Sequence, residues 1–472
     1  MRWSRHLTIA ALAVAGVCIG AGFLPASPPQ RAAWKAGAAR VDITPAQPMP
    51  MAGYYSRGNR PFDKIVQPLN GKILVLRWGE GPPVVFITLD LVGVPRSFTD
   101  RLTADLRKRF GIPPERVCVA TSHTHTGPAV HEQFRVLLGF TSEQWAAIER
   151  YLDHVHRQLV GAVGQALANA RPAWLEYAVG TCRFAMNRRA RRGGRIVLGV
   201  NPNGPVDHSV PGLWVLGAAD RRPMAVLFGY ACHCTTLGGD FFGICGDYAG
   251  YAQEQLEARF PGITACFVAG CGGDANPYPR GKLALARQHG QSLARAVEST
   301  LSGRRLPVRG PVAAVRRTVQ LEFARVPDVA DYARLAEKEP NSRRGKHARW
   351  MVELARRNGG QLPGTYPYLI QAFQFGDDLT FVGLAGEVVA EYGLNLKRRF
   401  AGNGQPPVWV AAYVNDVFAY IPTRQMLQEG GYEPVGSMIS WGWHSVWADT
   451  VEEAVMKGAA QVIEELRGAD GP

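Results

Sequence analysis

The chain has 472 residues, is 46% hydrophobic and 19% charged, and carries a formal net charge of +14. That balance excludes a disordered polyelectrolyte and leaves ample apolar material for a large core. The basic charge suggests contact with an anionic surface such as lipid headgroups. Nucleic acid is not expected, because no interleaving of aromatic and basic residues of an RNA-binding kind is present.

Arg2 and Arg5 precede an apolar stretch from Leu7 to Leu24, followed by Pro25-Ala26-Ser27. This is the pattern of a secretory signal over residues 1–27, with an uncleaved N-terminal anchor as the alternative. A secreted or periplasmic location permits disulfides. Of eight cysteines, Cys18 falls in the signal. The remaining odd number leaves at least one free thiol. Cys232 and Cys234 flank His233 and Cys266 and Cys271 flank a glycine-rich turn; they read as small buried residues.

The fold is expected to begin near Lys35, as one domain over residues 28–472. Ala39–Pro45 reads as a strand running into a turn, and Leu74–Trp78 and Val84–Asp90 as strands around Gly79–Pro83. Val117–Ala120 is a strand that releases Thr121-Ser122-His123-Thr124-His125. Thr141 with Gln144 forms a capping-box pattern, and Trp145, Ile148, Leu152, Val155, Leu159 and Val163 recur at helical spacing. Arg188-Arg189-Ala190-Arg191-Arg192 reads as a solvated basic loop. The apolar run Met224–Ala231 leads into His233, and helices follow over Gly246–Phe260 and Lys282–Leu301. Two charged helices over 325–360 read as an insertion capping one end of the sheet. Ile370–Phe375, Gly376-Asp377-Asp378 and Leu379–Leu384 form a hairpin pattern, Val408–Val414 a strand and Val451–Leu466 a closing helix. The class is α/β, a mixed sheet flanked by helices.

Asp90, His123, His233, Asp274, Glu387 and Asn415-Asp416 all follow apolar runs directly. Strand ends are where α/β proteins gather chemistry, so these residues suggest one concave site at a sheet edge. In His-x-His, alternate residues of an extended segment face one way, and imidazole is the commonest zinc ligand. The ordinary alternatives are core histidines for His123, His125 and His233, a helix-terminal or surface acid for Glu387, a solvated side chain for Arg188, and packing residues for Tyr420 and Tyr432. His131, His154, His156 and His208 read as surface or helix-packing residues.

The pieces Val41-Asp-Ile-Thr-Pro45, Ser122-His-Thr-His-Thr-Gly-Pro128, Met186-Asn-Arg188, the strand ending at His233, Gly273-Asp274, Ala385-Gly-Glu387 and the segment Tyr420 to Tyr432 occur in the order found in neutral ceramidases. The chain resembles the catalytic domain of that family over residues 35–470. The resemblance implies zinc held by His123, His233, Glu387 and Tyr420. It implies His125 as a catalytic group, with Arg188 and Tyr432 stabilising the developing oxyanion. The reaction implied is attack of zinc-activated water on the N-acyl bond of ceramide or a related lipid-like N-acyl amide. Two departures stand out. Asn276 occupies the position of the family's serine after Gly-Asp, which excludes a serine nucleophile there and leaves an amide that could orient the carbonyl. The C-terminal immunoglobulin-like domain common among ceramide-cleaving members is not expected. Another amide or ester substrate, or a non-catalytic lipid- or glycan-binding role, remains an alternative.

Overall fold

The computed structural model describes Met1, residues 33–402 and residues 404–468. The signal expected over residues 1–27 therefore lies outside the described residues, Met1 apart. The described residues from Ala33 onward form one compact unit. Among the described residues no helix is long and apolar enough to cross a membrane.

Nine strands make the larger sheet. Across it lie Thr264–Ala269, Pro223–Tyr230, Ser209–Gly217, Arg171–Thr181, Trp34–Asp42, Asn70–Trp78, Val84–Leu89 and Val117–Thr121, with Leu306–Val308 added beside Arg171–Thr181. Its middle is antiparallel, and the strand pair at each edge is parallel. Each parallel pair needs a crossover, supplied by the helices Arg96–Phe110 and Asp247–Arg259. A second sheet contains Val312–Glu322, Thr365–Phe375, Leu379–Leu384 and Val408–Ala411 in that order. The two sheets pack face to face. Phe86 of the first meets Phe373 and Phe381 of the second edge-on, at 5.3 and 5.2 Å between ring centres. Burying each such ring contributes about 1.5–3 kcal/mol. Helices cover both outer faces: Leu102 and Leu159 pack with Ile73 and Val85 on the larger sheet, and Val455 and Val462 pack with Leu369 and Ile370 on the smaller.

The α/β class is as expected, with the strands divided between two sheets. The Thr141–Gln144 capping box is formed, and the helix it starts runs over Ser142–Ala168. The hairpin pairs Ile370 with Leu384 and Phe375 with Leu379. Residues 325–360 hold the two expected helices, Val329–Lys338 and Arg343–Arg357, and the latter packs Trp350 and Met351 onto Leu137. The strand expected to reach Val414 stops at Ala411, because Tyr413 and Asn415 adopt positive φ, 58° and 64°. Ala412 N–H donates to Ala269 O at 2.9 Å and Asn415 N–H to Val119 O at 2.6 Å. One short segment thereby ties together the two opposite edge strands of the larger sheet. This closure brings the ends of Val117–Thr121 and Pro223–Tyr230 side by side.

Candidate metal centre

His123 sits two residues past Val117–Thr121, with φ of 59°, a left-handed backbone that a β-carbon disfavours. Its Nδ1 lies 2.5 Å from Val92 O, so Nδ1 carries the proton and Nε2 keeps its lone pair. His233 repeats the arrangement past the end of Pro223–Tyr230, with Nδ1 donating to Gly272 O at 2.8 Å. A bridge between Thr124 and Cys234 and a bond from His125 N–H to Cys234 O hold the two loops together. Glu387 and Tyr420 are direct partners in a two-stranded parallel ribbon, which places both side chains on one face. Gly386 before them has φ of 73°, and a β-carbon there would lie 2.8 Å from Ala419 O. The backbone could not make this approach with a larger residue.

The four side chains converge. Glu387 Oε2 is 2.9 Å from His123 Nε2 and 3.0 Å from His233 Nε2, and the Tyr420 hydroxyl is 2.9 Å from His233 Nε2. All four residues are buried. Burial and the Arg188 charge lower His233 to about 4, so it is neutral near pH 7. Burial opposes ionisation of Glu387, but His123 and His233 outweigh it and hold the carboxyl well below its ordinary range. Lone pairs thus face one another in a dry pocket, a costly arrangement unless a cation lies among them. Separations of 2.9–3.0 Å come close to the roughly 3.3 Å edge of a tetrahedron built on zinc bonds of about 2.0 Å. The donor set, two nitrogens and two oxygens, suits zinc.

His125 Nε2 lies 3.0 Å from His123 Nε2, and His123, His125 and His233 together could also hold a metal. His125 differs from the other two, because its Nδ1 has no hydrogen-bond partner. A metal-binding histidine ordinarily has its second nitrogen anchored. Burial, with His123 and His233 beside it, holds the His125 imidazole well below its usual range, leaving a neutral base. Its ring rests on Gly53, where a β-carbon would lie 2.4 Å from Cγ.

Arg188 links the rest of the site. Its Nε donates to Glu433 at 2.8 Å, one terminal nitrogen to Asn276 Oδ1 at 3.2 Å and the other to the Tyr420 hydroxyl at 3.0 Å. The solvated reading of the basic run holds for the exposed Arg191 and Arg192 but not for the rest. Ala185–Arg192 is a strand paired with Arg195–Asn201, and Arg188 and Arg189 are buried. Both share Glu433, the buried acid that makes their burial tolerable. Asn276 Oδ1 accepts from Arg188 and from Thr235, and arginine can only donate. The amide orientation is therefore fixed, with Nδ2 left to donate. Tyr432 packs 5.6 Å from Tyr420 between ring centres. Its hydroxyl bonds to no protein group among the described residues.

These residues line a cavity of about 310 Å³, whose apolar walls include Val92, Phe134, Leu138, Leu198 and Trp441. Every side chain expected in the site, namely His123, His125, Arg188, Asn276, Glu387, Tyr420 and Tyr432, lines it, and His233 lies beneath. The other strand-end residues do not. Asp90 accepts from Asn70 N–H and Gln253, and Asp274 from Asn187 and from Ala390 N–H at the start of the helix Ala390–Arg399. Asn415 braces Val119, and Asp416 accepts from Tyr366. Their role is scaffold.

Sequence reasoning missed Trp441, whose Nε1 donates to Glu387 Oε1 at 2.9 Å, and Glu433. A paired buried arginine demands an acid, but nothing in the sequence shows Arg188 and Arg189 to be buried. It also misplaced His131, which is buried, bonds Val417 O through Nε2 and packs against Trp441. His156 packs between helices near Asp105 as expected. The seven described cysteines are buried and unpaired.

No protein-family profile and no curated protein matches the sequence. Solved ceramidase structures do match the fold. A neutral ceramidase from Pseudomonas aeruginosa superposes with a TM-score of 0.71 at 18% identity, covering 93% of this chain and 75% of that one. A ceramidase complexed with C2 gives 0.70 at 17% identity, covering 92% of this chain and 75% of that one. The chain thus has the fold of the neutral ceramidases.

Proposed function

We propose that this protein is a zinc-dependent amidohydrolase that cleaves the N-acyl bond of ceramide or a related N-acyl amide. The observation that carries the reading is the convergence of His123 Nε2, His233 Nε2, Glu387 Oε2 and the Tyr420 hydroxyl on one point at the cavity floor. The ceramidase fold supports it. Zinc bound there would lower the pKa of a coordinated water and polarise a carbonyl.

The chain's own residues supply the rest. His125 Nε2 accepts the proton of the attacking water and passes it to the leaving nitrogen, the exchange a neutral, buried imidazole suits. Asn276 Nδ2 and the Tyr432 hydroxyl are unengaged donors on the cavity wall, positioned to orient the carbonyl and receive developing negative charge. Arg188 has all three nitrogens committed, so it acts by fixing Tyr420 and Asn276 and by its charge. The apolar wall takes the acyl chain. Export of the protein, with residues 1–27 as its signal, and work at an anionic membrane surface complete the proposal. N-terminal sequencing of the exported protein checks the first.

The test is incubation of zinc-loaded protein with ceramide, other N-acyl amides and matched esters. Cleavage of an N-acyl amide supports the reading. Cleavage of esters alone, or of nothing while zinc is fully bound, contradicts it.

A further inference from the structure

Of the charged side chains on the cavity wall, Arg188 is matched by Glu433, and Glu387 belongs to the metal centre. Two guanidiniums remain, Arg280 and Arg343. Both are exposed, and neither lies within ion-pair distance of a carboxylate among the described residues. Asp247 is close enough to feel Arg280, but it is buried and turned inward onto the Leu237 and Tyr248 amides. The two arginines come from distant parts of the chain, the loop after Asn276 and the start of the helix Arg343–Arg357. They are seated on consecutive residues. Arg280 donates to the Tyr54 hydroxyl at 2.8 Å, and Arg343 lies 4.4 Å from the centre of the Tyr55 ring while donating to Ser440. Both line the same cavity, one through Tyr54 and the other through Tyr55. The Tyr54 ring in turn meets the His125 ring at 5.0 Å. Arg280, bonded to that same Tyr54, is therefore on the His125 side of the cavity, where the leaving amine is protonated.

We propose that the preferred substrate is an N-acyl amide whose amine half carries an anion, a carboxylate or a phosphate, held by Arg280 and Arg343. The proposal rests on the amidohydrolase reading above. Guanidinium offers paired donors that match either anion, and side chains already held by a hydroxyl and a ring lose little further freedom on binding. A neutral headgroup leaves this pair of cations unused.

The test compares N-lauroylglycine, N-lauroyl-O-phosphoethanolamine and N-lauroylethanolamine on the zinc-loaded protein. They share one acyl chain and differ in headgroup charge, and the first two separate carboxylate from phosphate. At least one anionic amide should exceed the neutral one roughly 10-fold in kcat/KM, the scale of one charge-assisted hydrogen bond. In the double variant Arg280→Gln, Arg343→Gln that ratio should collapse toward one, and lysine at both positions should restore most of it. Should no amide be cleaved, the hydrolase reading fails. Calorimetric affinities of the same three compounds then still read the anion preference. A wild-type ratio of one or below, or an unchanged ratio in the double variant, overturns the proposal. So does an unchanged ratio accompanied by lost binding to phosphatidylglycerol vesicles, which would assign the arginines to a lipid surface.

Discussion

Two sets of polar residues leave the strand ends of this protein, and only one of them makes the site. His123, His233 and Glu387 point unshared electron pairs at one another across 2.9–3.0 Å. Asp90, Asp274 and Asp416 are equally buried, but backbone amides or side-chain donors meet them. The difference teaches that burial at a strand end does not mark function. What marks it is acceptor atoms turned on one another, with no proton between Glu387 Oε2 and the two imidazole nitrogens.

The comparison can be broken most forcefully at His125, which touches His123 without being one of the four converging residues. His125→Ala should keep zinc and lose about 100-fold or more in turnover, the usual scale of general acid–base catalysis. Metal content and kcat measured on one preparation decide it. Loss of zinc would make His125 a ligand, as the three-histidine cluster allows. Wild-type turnover would make it structural.

At Asn276 the effect should be of similar or smaller size. Asn276→Ala should lower kcat on the order of 10- to 1,000-fold through loss of one donor to the carbonyl oxygen. Zinc content should stay unchanged. Asn276→Ser restores the residue found in neutral ceramidases, and a gain in ceramide cleavage would show that this position sets the substrate.

Trp441→Phe removes the donor to Glu387 Oε1 while keeping an aromatic ring against His131. Zinc affinity should fall roughly 10- to 100-fold, as for other residues that orient a ligand. Competition with a chelator measures it, and an unchanged affinity would show that Glu387 needs no such support.

The scaffold set answers to stability alone. Burial raises Asp416 to about 7, above an unfolded value of about 3.9. Its contribution is therefore fully present below pH 4 and is lost as pH rises through 7. Asp416→Asn keeps an acceptor for Tyr366, so the decline in unfolding midpoint between pH 4 and 8 should become shallower. An unchanged slope would remove Asp416 from the explanation.

Much of the site was legible because its residues stand where apolar runs stop and because the order of motifs matched a known family. The capping box, the hairpin and the paired helices over 325–360 were legible for a similar reason, since each has a local pattern. The division into two sheets was not. It depends on Ala412 and Asn415 reaching across to Ala269 and Val119, contacts between residues far apart in the chain. The basic run misled because a string of arginines reads as solvated until its counter-charge is found, and Glu433 is more than 240 residues away. Trp441 gave no signal, since its role is one hydrogen bond to Glu387.

The most direct test is the zinc content of the purified protein and of two single variants. The wild type should bind about one zinc per chain, as a single four-ligand site requires. His123→Ala and His233→Ala should each lose most of it. Full zinc retention in both variants would contradict the assignment.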